Sequence, residues 1–137
     1  MALNITHRHI IALIILAALG TTTVNASSES LNWGFISTNV TIWTGANGTT
    51  VKFVSQVFAY CGEETTRKKI LQDNELALRE VVKMRYADNV FEITYNYVDT
   101  SGTEDKATSA RNKELNTSYP KHESWQAGTS DYSSGCR

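Results

Sequence analysis

The sequence predicts a small α+β domain: one antiparallel sheet with one or two helices, one disulfide, and a polar C-terminal segment. Three observations predict it. Residues 90–98 alternate with the two-residue period of a half-buried strand. Residues 39–44 are β-branched and aromatic and run into a Gly-Ala-Asn-Gly turn signal. Cys61 and Cys136, the two cysteines, both lie downstream of an apolar leader, in the part of the chain that export would carry out of the cytosol.

The leader is the first element. Residues 1–9 are polar and include Arg8, Ile10 to Leu19 are ten uninterrupted apolar residues, and Gly20 ends the run. Val24-Asn25-Ala26 then offers a small aliphatic residue at −3 and alanine at −1, a shape signal peptidase accepts. A helix needs about 20 apolar residues to cross a bilayer core, so ten suit a cleavable secretory signal. Residues 1–26 are expected to be removed, leaving one domain: an α+β core at 27–102 and a polar segment at 103–137. No stable membrane insertion is expected after cleavage, and the destination is periplasmic or secreted.

The chain carries 13 Lys+Arg against 14 Asp+Glu, and loss of Arg8 brings the balance to about −2. A near-neutral, mixed surface has no long-range pull on phosphate, which argues against nucleic acid and against a polybasic membrane-surface protein. In an oxidising compartment an even pair of cysteines is expected to join. A Cys61–Cys136 bridge would close a loop of about 75 residues, lashing the polar segment to the middle of the domain. Chain entropy alone gives such a closure about 4 kcal/mol.

Residues 27–38, rich in Ser and Asn around Trp33 and Phe35, read as a flexible arm. Residues 39–44 read as a strand and Gly45 to Gly48 as a turn. Residues 49–61 fit two periods. A strand would pair with 39–44 and face Val51, Phe53, Ser55, Val57 and Ala59 one way. A helix would line up Val51, Val54, Val57, Phe58 and Cys61, capped by Thr49 or Thr50 and by Gly62. The paired caps favour the helix. Residues 63–72 read as a short helix with acids first and bases later. Asp73-Asn74 reads as a break or a fresh N-cap. Both periods fit 75–86 as well, with Leu76, Leu78, Val82, Met84 and Tyr86 supporting a strand interrupted by Glu80 and turning at 87–89. Along 90–98, Phe91, Ile93, Tyr95 and Tyr97 form one face, and 99–102 is a turn. Residues 103–137 hold few large apolar residues, so they would be a free tail without the bridge, which would let Trp125 and Tyr132 dock on the core.

Motifs for chemistry are sparse. His122 is the sole histidine of the exported part, so a histidine-rich metal site within the chain, HExxH and most triads are excluded. No serine sits in GxSxG. Glu63-Glu64 and Glu104-Asp105 are adjacent solvated pairs, not carboxylates facing each other across a cleft. A bridged cysteine is no nucleophile. No cofactor motif is present, and no catalytic or metal-ligating residue is assigned. Sequons begin at Asn39, Asn47 and Asn116. The aromatics Trp33, Trp43, Tyr95, Tyr97 and Trp125 are the candidate interface, since Trp and Tyr anchor protein contacts. Together these features point to an exported, non-enzymatic module with a protein partner: an inhibitor, an immunity protein, or an accessory of secretion or surface assembly. The alternatives are a sugar-binding or adhesive module using the same aromatics, and a small secreted hydrolase built around His122.

Overall fold

The structure, a computed structural model, describes residues 30–62, 64–87, 89–118, 120–128, 132–134 and 136; the expected signal segment 1–26 lies outside them. The elements are β1 (Leu31–Thr44), β2 (Asn47–Ser55), β3 (Phe58–Cys61), α1 (Glu64–Arg85), β4 (Val90–Thr100), α2 (Glu104–Leu115) and β5 (Lys121–Trp125). This is the expected α+β domain. The sheet has five strands and is antiparallel except where β5 joins β2 in parallel.

β1 is the spine. Its one edge pairs first with β3 (Leu31 opposite Cys61) and then with β2 (Ser37 opposite Val54), and its other edge pairs with β4. The expected arm at 27–38 is therefore corrected: from Leu31 onward it is the first half of the central strand. Its small polar residues are buried parts rather than loop residues. Ser37 and Thr38 are fully buried, and the Thr38 hydroxyl donates to Asn96 Oδ1 at 2.7 Å. At Gly34 the neighbouring strand comes so close that an added Cβ would lie 1.9 Å from the Asp99 carbonyl oxygen, so only glycine fits.

The hairpin turns at Gly45-Ala46, with Thr44 already opposite Asn47. Gly45 alone takes positive φ, 63°, the glycine-first pattern of a tight hairpin loop. Gly48 has another use: the Trp43 ring lies against it, 3.0 Å from where a Cβ would sit.

The helix favoured for 49–61 is not formed; this stretch is β2 and β3. β2 is covered on both sides. Val51 and Phe53 face one way and Val54 the other, and all three are buried, which erases the alternation that marks a one-sided strand.

The break at Asp73-Asn74 and the strand at 75–86 are also corrected. One continuous 22-residue helix runs through both. Its buried stripe is Ile70, Asn74, Leu78 and Val82, spaced by four. The stripe carries a polar residue at its centre, whereas Leu76 and Met84, which supported the strand reading, are 76% and 74% exposed.

Helix α1 lies on the face made by Ile36, Val40, Ile42, Val51, Phe53 and Val98, where Phe53 meets Tyr86 edge-on. Helix α2 lies on the opposite face. Its Glu114 meets Ser37 and Lys52, and its Arg111 donates to the Ser55 carbonyl at 2.6 Å. Thr103 caps α2 by accepting from Lys106 N, Glu104 and Asp105 follow at the positive end, and Ala107 is the residue it buries. The two helices thus do not share a face.

Ala127, Gly128, Tyr132 and Cys136 form a strap. The Gln56 side-chain amide donates to Ala127 O at 2.7 Å and accepts from Ala127 N at 2.8 Å. Asn74 does the same to the next residue, donating to Gly128 O at 3.1 Å and accepting from Gly128 N at 2.7 Å. Cys61 N then donates to Tyr132 O, and Cys61 is bridged to Cys136 with Cα atoms 5.5 Å apart. The polar segment at 103–137 therefore contributes a helix, a strand and this covalently fixed end.

Candidate functional site

β4 carries the deciding irregularity. Asn39 pairs with Tyr95 but Val40 pairs with Ile93, so Thr94 is an extra residue, a bulge whose hydroxyl donates to Asn39 O. Because side chains alternate, one extra residue exchanges the faces. Before the bulge, Phe91 and Ile93 point to the α1 side; after it, Asn96 and Val98 do. Tyr95 and Tyr97 are thereby sent to the other side, where they share a face with Val90 and Glu92. The single aromatic face expected for Phe91, Ile93, Tyr95 and Tyr97 is corrected accordingly.

On β1 the same side carries Trp43, Thr41, Asn39 and Ser37, directly opposite Val90, Glu92, Tyr95 and Tyr97. The contacts of α2 with the sheet reach Ser37, Lys52 and Ser55, and beyond Ser37 the side chains emerge: Trp43 is 41% exposed, Val90 73% and Tyr95 58%. Tyr97 is half-buried and stacks at a tilt on Tyr95, ring centroids 5.1 Å apart. Three of the five candidate aromatics, Trp43, Tyr95 and Tyr97, thus meet on one strip of sheet. Trp33 is half-buried at the far end of β1, away from them. Trp125 is 5% exposed and belongs to the core, off this strip. Val90 was missed: it reads as the polar-side partner of Phe91 until the bulge is known.

A second polar cluster lies where α1 meets β5. Glu123 accepts from Arg85 at 2.7 Å and from the Tyr86 hydroxyl at 2.5 Å, and pairs with Lys121 at 2.7 Å. Burial pushes the Glu123 carboxyl upward, but hydrogen bonds from Lys121, Tyr86 and Arg85 outweigh it and hold it at about 2. Burial, and then the bond to Glu123, pushes the Tyr86 phenol above its ordinary value. The cluster is a brace between helix and strand. Because the folded carboxyl titrates lower than the unfolded one, its contribution is complete above the ordinary value of 4.5 and fades as pH falls toward 2. Glu123→Gln is expected to lower stability on the order of 2 kcal/mol at pH 7, with the difference from the unaltered protein closing as pH falls below 4.5. Urea unfolding at stepped pH measures this; a constant difference down to pH 2.5 would refute it.

His122 is half-buried on β5 beside Lys52, and among the described residues it hydrogen-bonds no hydroxyl or carboxylate. Among the described residues no group of three His, Cys, Asp or Glu side chains is placed to hold a metal ion, and no helix is long and apolar enough to cross a membrane. Of the sequons, Asn47 and Asn116 are exposed, whereas Asn39 is half-buried in the central strand. Comparison with family models, curated proteins and solved structures returned no match.

Proposed function

We propose that the chain is an exported, non-enzymatic protein-binding module, of the inhibitor, immunity or assembly-accessory kind, that meets its partner on the strip Trp43, Val90, Tyr95 and Tyr97. One observation carries the reading: Val90 and Tyr95 stand mostly in water and Trp43 is 41% exposed, all on one sheet face that α2 leaves open. Apolar side chains held out of a core gain free energy when a partner covers them, and Trp and Tyr dominate such contacts. The Cys61–Cys136 bridge supports an oxidising, periplasmic or secreted destination.

A pull-down from the exported fraction is expected to return one stoichiometric protein partner. Trp43→Ala and Tyr95→Ala are each expected to weaken that complex about 30-fold, the effect of an interface anchor of about 2 kcal/mol. Their unfolding midpoints should move less than the binding does, because Tyr95 is 58% exposed and Trp43, though its ring rests on Gly48, keeps 41% of its surface in water. Unchanged affinity in both variants would remove the strip from the proposal. The stacked Tyr95 and Tyr97 rings favour a second reading, a sugar-binding or adhesive face, which a glycan array with the same variants separates from the first.

A further inference from the structure

Resting on that reading, we infer that the partner presents an extended strand that pairs with the outer edge of β4 and sets a basic side chain against Glu92. β4 is eleven residues long and pairs with β1 along one edge; among the described residues nothing pairs with the other. The outer edge of β3, by contrast, is taken by the strap, where Cys61 N donates to Tyr132 O. β5 has only five residues, and its Lys121 and Glu123 are committed to the brace. An open strand edge offers a row of backbone donors and acceptors, and an added strand satisfies them.

The side chains fix the chemistry of the added strand. Cross-strand neighbours share a face, so its residues opposite Val90, Glu92 and Tyr95 would lie on the open strip. β4 holds Glu92 and Asp99 and no Lys or Arg, and Glu92 makes no ion pair among the described residues. Covering Val90 and Tyr95 strips water from the carboxylate between them, which is costly without an opposite charge. The face pattern of the incoming strand is therefore apolar, basic, apolar.

The test is a random phage-displayed peptide library panned on the purified, disulfide-bonded protein. Enriched peptides are expected to alternate apolar and polar residues around one Lys or Arg. A synthetic copy of the best peptide should lose about tenfold in affinity when one alternate set of its amides is N-methylated, and little when the other set is. Glu92→Lys should cost a similar factor, recovered when the peptide's basic residue becomes Glu. No enrichment, equal response to the two methylated sets, or indifference to Glu92→Lys overturns strand addition. If Trp43→Ala and Tyr95→Ala still weaken partner binding about 30-fold in that case, the strip stands as a face without an added strand; if they do not, both readings fall.

Discussion

Replacing Cys61 and Cys136 together by alanine is expected to cost about 4 kcal/mol, read as a lower urea midpoint. The bridge spans a sequence separation of 75, so it removes a large share of the freedom of the unfolded chain. It also ties down the end of the strap, beyond the contacts of Ala127 and Gly128. The unfolded chain without the bridge is more extended, so the slope of the transition should steepen as the midpoint falls. A loss below about 1 kcal/mol would mean that the non-covalent contacts hold the strap alone.

Asn74→Leu is expected to cost about 3 kcal/mol, or roughly 15 °C in melting temperature for a domain of this size. Leucine is of similar bulk and suits the apolar stripe of α1, so packing alone would forecast a neutral or favourable change. The side-chain amide decides otherwise. It donates to Ile70 O at 2.9 Å, lies 3.2 Å from the Tyr132 hydroxyl, and serves both backbone groups of Gly128. Leucine would remove the side-chain partners of both backbone groups of Gly128, which is itself exposed, and set hydrocarbon beside them. Hydrogen exchange at Gly128 should speed up beyond the global change, reporting a loosened strap. A variant as stable as the unaltered protein would show that water substitutes for the amide without cost.

The same residue explains much of what was legible and what was not. The strand at 90–98, the strand at 39–44 and the cysteine pair were readable because each has a local cause: alternation, β-branching and oxidative pairing; the turn read at 99–102 begins only at Ser101, because Asp99 and Thr100 of β4 still pair with Phe35 and Gly34. Asn74 looked like a helix break because its role depends on Gly128 and Tyr132, more than fifty positions away. Residues 49–61 misled because burial on both faces lets Val51, Val54 and Phe58 imitate helical spacing. Segment 103–137 hid α2 because that helix buries only Ala107 and is held by polar contacts from Arg111 and Glu114. The candidate site was half legible: Trp43, Tyr95 and Tyr97 were named, but their meeting requires a register that no local signal reveals.

Thr94 sets the phase of everything after it in β4. If Thr94 paired as an ordinary strand residue instead of bulging, Tyr95 and Tyr97 would have to pack beneath α1 and Val98 would stand in water, although no amino acid had changed. The outward chemistry of this molecule is thus written in how its residues are paired as much as in their kinds.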